Sequence, residues 1–255
     1  MRLATFNILH GRSTTDGVID LARLRASIQQ INPDVLALQE VDLDQERSGR
    51  ADLTAVAAEA MGAVSHRFVA AISGTPGATW MAATGDLAPG SAGYGIAILS
   101  KYPVSTWQVL RLPNIPLRVP MYLPGTHRVH FIKEEPRAAM VACIDTPLGP
   151  LTVANTHLTF VPGWNRWQLR RLMRDLHGFP GPHVLMGDLN MKATAAARHS
   201  HLRPLATALT FPATGPRRQL DHILTDDATL RCTHSATPPM AISDHRPLVV
   251  ELSSR

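Results

Sequence analysis

The stretch AISDHRPLVV, residues 241–250, sets Asp244 and His245 immediately before a run, Pro247 to Leu252, that is nearly all apolar and β-branched. The run has the length and composition of a buried strand. A desolvated carboxylate or imidazolium at its lip must be paired or must bind something. The stretch is therefore either a surface loop or one edge of a site, and the remainder of the chain has to decide.

Working outward, similar short apolar runs recur: LATFNI (3–8), DVLALQEV (34–41), GIAILS (95–100), AAMVACI (138–144), LTVANTHL (151–158), HVLMGDLN (183–190) and LDHIL (220–224). Helical periods lie between them. Asp20 is placed to cap a helix carrying Leu21, Leu24, Ile28 and Ile31, which must stop at Asn32-Pro33 because a residue before proline avoids the helical region. After Asp52, a second stripe of Leu53, Val56, Ala57, Ala60 and Met61 ends at Gly62. A third helix sets Leu169, Leu172, Met173 and Leu176 against Arg166, Arg170 and Arg174 on the opposite face and ends by Gly178. The stretches 72–93 and 112–136, rich in glycine, alanine or proline, read as long surface loops. Neither separates two patterns that could each close a core, so residues 1–255 are expected to form a single α/β domain.

Composition sets outer bounds. A chain of 255 residues, 45% apolar and 18% charged, can bury most of its surface. The net charge of +5, carried chiefly by arginine, suits an anionic partner. Two cysteines without a CxxC pair indicate no disulfide framework and fit a reducing compartment. No secretion signal is visible at the start, and no apolar run approaches a membrane span, so a cytoplasmic protein is expected.

The strands end in a repeated way. Asn7, Glu40, Asn155 with His157, Asp188 with Asn190, Asp221, and Asp244 with His245 all stand at or near strand tips, where a sheet edge can gather them into one cleft. Carboxylates and amide oxygens without cysteine suit a hard cation such as Mg²⁺, with Mn²⁺ as its substitute, better than zinc. The cluster His199 to His201 lacks partners at ligand spacing and reads as surface. Alternation along an extended chain puts Asp188 and Asn190 on one face, where both could touch one phosphate. It also pairs Ser243 with His245, but the exposed elbow that a serine hydrolase needs is missing.

Taken in order, TFNI, LQEVD, EPRAAM, NTHL, GDLN, LDHIL and SDHRPL resemble the endonuclease/exonuclease/phosphatase superfamily over Asn7 to Val250. The resemblance implies a deoxyribonuclease I-like, four-layer α/β/β/α sandwich of two mixed sheets with the active site on one rim. It implies Glu40 as principal Mg²⁺ ligand, with Asn7 and Asp244 beside the ion, directly or through water. Asp188 would orient or deprotonate the attacking water, and Asn190 would hold a phosphate oxygen. His245, steered by Asp221, would contact the scissile phosphate and assist proton transfer, while His157 and Arg137 would complete the anion clamp. QEVD at residues 39–42 in place of QET, and His157 where a tyrosine is usual, set the chain apart from the apurinic endonuclease branch.

The superfamily fixes a reaction type more firmly than a substrate. A monomeric phosphodiesterase acting on DNA or RNA is the first expectation, from the net charge and the Arg166, Arg170, Arg171 and Arg174 helix. With aromatics at 5%, stacking on single strands is not expected. A lipid or other small phosphoester is the alternative. For the lipid, the candidate contact is the loop holding Ile115, Leu117, Val119, Met121, Tyr122 and Leu123 with Arg118, Arg128 and Lys133. A non-catalytic polyanion-binding module would require one of the essential groups to be missing, and none is.

Overall fold

A computed structural model describes residues 1–116, 118–123 and 128–253. Seven strands form the first sheet, in the order β14 (Arg231–Ala236), β15 (Leu248–Ser253), β1 (Arg2–Asn7), β2 (Val35–Leu43), β5 (Gly93–Ser100), β3 (Ser65–Gly74) and β4 (Trp80–Ala82). Six form the second, in the order β12 (Arg203–Pro204), β13 (Asp221–Thr225), β11 (His183–Asp188), β10 (Gly149–His157), β9 (Arg137–Thr146) and β6 (Val104–Leu112). A hairpin of β7 (Arg118–Leu123) and β8 (Arg128–Lys133) stands apart from both. Each large sheet is mixed: β1 runs parallel to β2, and β10 parallel to β11, while the neighbouring ladders are antiparallel. A parallel pair needs a crossover. Helix α1 (Leu21–Ile31) supplies it in the first sheet and α3 (Trp164–Leu176) in the second.

Period-two alternation explains the layering. Leu3, Val35, Ala37, Ile96 and Ile98 of the first sheet face Met140, Ala142, Val153, Val184, Met186 and Ile223 of the second in one shared core. Intervening residues turn outward. Phe6, Leu36 and Leu38 receive Leu24 and Ile28 of α1 and Leu53 and Ala57 of α2 (Leu53–Met61). Val141, Ala154 and Leu185 receive Leu169, Leu172 and Leu176 of α3, with Ala196 of α4 (Ala193–Ser200). The result is an α/β/β/α sandwich in which strands covered on both faces read as unbroken apolar runs. The caps are those the sequence indicates: Asp20 accepts from the Ala22 amide at 2.8 Å and Asp52 from the Ala55 amide at 3.0 Å. Asn32 and Gly62 close the two helices in the left-handed region.

Three expectations need correction. The 72–93 stretch is not all loop, since β3 reaches Gly74 and pairs Ile72, Ser73 and Gly74 with β4. The 112–136 stretch contains the β7–β8 hairpin, and Ile115, expected on the surface, is buried. Leu117 lies outside the described residues, as do the side chains of Val119, Met121, Tyr122, Leu123 and Arg128. Edge strands β6 and β14, both half-exposed and polar on one side, carry no apolar run to reveal them and are formed by ladder pairing to β9 and β15. No helix among the described residues is long and apolar enough to cross a membrane.

Candidate active site

The inward-facing positions of the strands are apolar along most of their length and polar at one end. Thr5 and Asn7 follow Leu3 on β1, Gln39 follows Val35 and Ala37 on β2, and Asn155 and His157 follow Leu151 and Val153 on β10. Asp188 follows Val184 and Met186 on β11, while Asp221 opens β13 before Ile223. Pairing registers set Asn7 beside Gln39, His157 beside Asp188, and Asp188 beside Asp221. The site is thus the polar rim of the same face that makes the core.

Beneath the rim, the sheets are joined by a buried amide pair. Gln39 donates to the Asn155 side-chain oxygen at 2.7 Å, and the Asn155 amide donates to the Leu38 and Ala97 carbonyls at 2.9 and 2.8 Å. Asn155 is thereby spent on holding β10 to β2 and β5, as buried polar groups require partners. Gly187 serves the same closeness on the second sheet. With φ of +140° and a neighbouring Thr156 carbonyl in the space a Cβ would fill, only glycine lets β11 lie there and deliver Asp188.

Glu40 reaches the site through a fault in β2. The register against β5 shifts between Gln39 and Val41, and Glu40 itself sits at φ +56°. Leu36 and Leu38 face the helices, and so does Val41, so Glu40 is the extra residue of a bulge. A bulge re-aims one side chain without disturbing the strand on either side. A left-handed glutamate costs on the order of 1 kcal/mol.

The Asn7 amide nitrogen donates to Glu40 Oε1 at 2.9 Å and to Asp188 Oδ2 at 3.1 Å, while the Leu9 amide donates to Asn7 Oδ1 at 3.1 Å. Asn7, expected beside an ion, thus holds two carboxylates together with its nitrogen and has its oxygen already engaged. Asp188 Oδ1 accepts from the Asn190 amide at 3.0 Å. Asn190, at φ +50°, ties its side chain to the Leu158 carbonyl at 3.0 Å. Asp221 is fully buried behind His245, whose Nδ1 bonds Asp221 Oδ2 at 2.8 Å and whose Nε2 lies 3.8 Å from Asp188 Oδ2. Ser243 is occupied structurally, donating to the Asn7 carbonyl at 2.6 Å and accepting from the His245 amide at 3.0 Å. This accounts for its alternation with His245 without any nucleophilic role.

Two expected residues have further partners in the fold. Asp244 is partly exposed, and its backbone carbonyl accepts from the Ala213 amide at 2.7 Å. Arg137 is buried in the cleft wall, but Nε and a terminal nitrogen both bond Glu134 Oε1, at 3.1 and 2.7 Å. The clamp it offers an anion is therefore one already neutralised in part.

Electrostatics divide the titratable groups. Burial, helped by Asp221, pushes Asp188 up to about 7. His245 moves the other way from what burial alone would do. The Asp221 charge and hydrogen bond, with Asp188 and Asp244, overcome desolvation and raise it to about 10. Burial, with the Arg137 and His245 charges, holds His157 well below its ordinary value, so this ring is neutral. Asp188, Asp221 and His245 offer atoms within 4.8 Å of one another. Within this group Asp221 and His245 are already joined to each other by the 2.8 Å hydrogen bond. The donor set that fits a hard cation is the pair of carboxylate oxygens, from Glu40 and Asp188, converging on Asn7.

Glu40, Arg137, His157, Asp188, Asn190 and His245 open on a cleft of about 420 Å³. Tyr94, Trp80, Phe160, Glu134 and Glu135 also line it, none of them singled out by sequence, as does Lys133, which the sequence placed in a lipid-contact loop. Lys133 lies over the Trp80 ring at 5.0 Å. Burial raises Glu135, and it raises Tyr94 well above its usual value with help from Glu40. Tyr94 and Trp80 lie on strands whose ends only the sheet order brings to this rim, which is why no local signal marked them.

The same architecture occurs in solved structures. The chain is similar to an endonuclease/exonuclease/phosphatase from Beutenbergia cavernae (24% identity, TM-score 0.72, covering 100% of this chain and 71% of that one). It is also similar to the human nocturnin catalytic domain with bound sulfate (18%, TM-score 0.63, 100% and 94%). A third is the Bacteroides thetaiotaomicron mannosyl-6-phosphatase Bt3783 (16%, TM-score 0.63, 99% and 99%). No curated protein is matched in sequence. The model of the Endonuclease/Exonuclease/phosphatase family matches residues 4–245, from the first strand to His245. Every strand that delivers a group to the cleft falls within or across that span, and the chain accordingly belongs to the Endonuclease/Exonuclease/phosphatase family of phosphoester hydrolases.

Proposed function

We propose that the protein is a divalent-metal-dependent phosphodiesterase that cleaves nucleic acid by water attack at phosphorus. The observation that carries this reading is that two neighbouring groups are both raised but to different levels, Asp188 to about 7 and His245 to about 10, so that they part with protons in different pH ranges. Near neutral pH, Asp188 is poised to take a proton from water, while His245 keeps one to give to the leaving oxygen. Asp221 fixes the His245 tautomer by occupying Nδ1, so that Nε2 faces the substrate. Asn190 has a second amide hydrogen for a phosphate oxygen, and neutral His157 adds a donor without adding charge. Glu40 with Asp188 would hold Mg²⁺ or Mn²⁺, which supplies charge neutralisation at the phosphate and a more acidic water. Asn7 positions those two carboxylates, and Asp244 acts on His245 through its charge.

Nucleic acid is favoured by the net charge of +5 and by exposed Arg166, Arg217 and Arg218, which have no carboxylate partner among the described residues. A small hydroxyl-bearing phosphoester is the second reading, favoured by Glu134 and Glu135 in the cleft wall, which suit hydroxyl donors better than a polyanion. The shared core of the two sheets supports one domain over residues 1–255, acting as a monomer that light scattering should register at 27.7 kDa. The direct test is Mg²⁺-dependent hydrolysis by wild type, His245→Ala and Glu40→Gln on plasmid, single-stranded DNA, RNA, a phosphoinositide dispersion and sugar phosphates. Polynucleotide cleavage lost in both variants is expected. Turnover confined to a lipid or a sugar phosphate would replace this substrate class, and full activity of Glu40→Gln would remove the metal assignment.

A further inference from the structure

The turn that leads from β10 into α3 exposes aromatic rings that neither core uses. Phe160 lines the catalytic cleft and is 40% exposed, and Trp167 is 48% exposed. The Trp164 and Trp167 rings, one helical turn apart, meet edge to face at 5.1 Å and 82°. With Pro162 and Gly163 they border a second, shallower hollow of about 350 Å³. The inward positions of α3 (Leu169, Leu172, Met173 and Leu176) are all buried, so the exposed rings are not left over from a helix that failed to pack. Leaving rings of this size in water forgoes a burial term that most chains take.

The turn is also tied to the catalytic segment. Asn165 donates to the Asn190 carbonyl at 2.9 Å, and the Gln168 side chain accepts from the Thr159 amide at 3.0 Å. The rings therefore hold a set position relative to Asp188 and Asn190. Arg166 is exposed between the two tryptophans in sequence, and Arg170 meets only His199 among the described side chains, at 3.3 Å. Aromatic faces interleaved with unneutralised arginines, on a segment that places Phe160 in the cleft and hydrogen-bonds to the Asn190 backbone, match a substrate in which planar groups alternate with anions.

We propose that Phe160, Trp164 and Trp167 form a stacking platform for unpaired bases next to the scissile phosphate, with Arg166 on the adjoining phosphate, so that the substrate is single-stranded nucleic acid. The inference rests on the phosphodiesterase reading above and narrows it. A duplex hides the faces of its bases, so the platform discriminates strandedness rather than sequence. Low overall aromatic content concealed it, because the rings are few but concentrated at one turn.

The test compares wild type, Trp167→Phe and Trp167→Ala on a single-stranded oligonucleotide and on the same sequence as a duplex. Trp167→Ala should raise KM on the single strand about tenfold with kcat nearly held, and Trp167→Phe should restore most of the loss. Turnover of bis(p-nitrophenyl) phosphate reports whether the catalytic groups are intact in each variant. Tryptophan fluorescence titrated with the same oligonucleotide in EDTA reads binding apart from cleavage: quenching in wild type that is smaller and needs more oligonucleotide in Trp167→Ala is expected. Equal KM values across the three proteins, or no quenching by the oligonucleotide, would overturn the platform while leaving the phosphodiesterase reading standing if wild type cleaves. Quenching by anionic vesicles but not by the oligonucleotide would reassign the rings to a membrane surface and overturn it as well.

Discussion

Asp188 and His245, 3.8 Å apart, are both raised, the first chiefly by burial and the second by Asp221 against burial. His245 has a folded value near 10 against an ordinary 6.5, so its stabilising contribution is fully present below about pH 6.5 and is lost as pH rises through 10. Asp221→Asn should therefore destabilise the protein at pH 7, with the gap to wild type closing toward pH 10. The alkaline limb of its kcat/KM profile should fall at least one pH unit below that of wild type. Paired thermal melts and rate profiles check both. For Asp188 the pH dependence has the same sign but another cause. Its value rises from 3.8 to about 7 because burial favours the neutral acid, so stability is greatest below about pH 4 and declines as pH climbs through 7. Asp188→Asn should melt no lower than wild type in EDTA at pH 8, while activity falls by roughly 100-fold or more. A lower melting temperature there would show that Asp188 is held for stability.

At the scale of an element, the site depends on places where regular structure is broken on purpose. The bulge at Glu40 lets β2 keep Leu36, Leu38 and Val41 on the helix face while one carboxylate turns to the rim. Gly187 lets β11 approach β10 closely enough to pair His157 with Asp188. Gly187→Ala places a methyl group into the Thr156 carbonyl in a backbone conformation that alanine resists. We expect a loss of about 3 kcal/mol or more, read by chemical denaturation, and a corresponding loss of activity. A variant that folds with wild-type stability would mean that β11 can shift and that the site is less tightly set. These two positions also mark where sequence reading stops. LQEVD identifies Glu40 as chemically interesting, but nothing in its composition announces a bulge.

For the whole molecule, net charge and substrate choice meet in the salt dependence. If Arg166 and its neighbours contact phosphates, log KM for a polynucleotide should rise steeply with log salt, and each lost contact should reduce the slope by about 0.7 on single strands. Arg166→Gln should lower the slope by that amount, whereas KM for bis(p-nitrophenyl) phosphate should barely respond to salt in either protein. A polynucleotide KM indifferent to salt would place the arginine stripe of α3 on a solvated helix face with no part in binding. The carboxylates of Glu134 and Glu135 work against a polyanion within the cleft, so the basic groups that matter should be those outside it.

The eight apolar runs each became a strand, and the capped helices α1 and α2 begin and end where aspartate, asparagine and glycine dictate. Those features are local: a fully covered strand must be apolar throughout, and a helix end must satisfy its own amides. The ligand-type residues were legible for a related reason, since carboxylates, amides and histidines at strand tips stand out against apolar runs. Asn155 shows the limit of that signal, because a buried amide joining two sheets looks in sequence like one that binds substrate. Edge strands β6 and β14, the alanine-rich α4 and the β7–β8 hairpin went unread because partners across the fold, not their own composition, give them their shape. By itself the sequence determined the alternating strand and helix pattern, the inventory of chemical groups and their order along the chain. Only the tertiary structure decided that Asn7 holds two carboxylates, that Arg137 is engaged by Glu134 and that Trp80, Tyr94 and Phe160 line the cleft, because those facts depend on which distant strands share a rim.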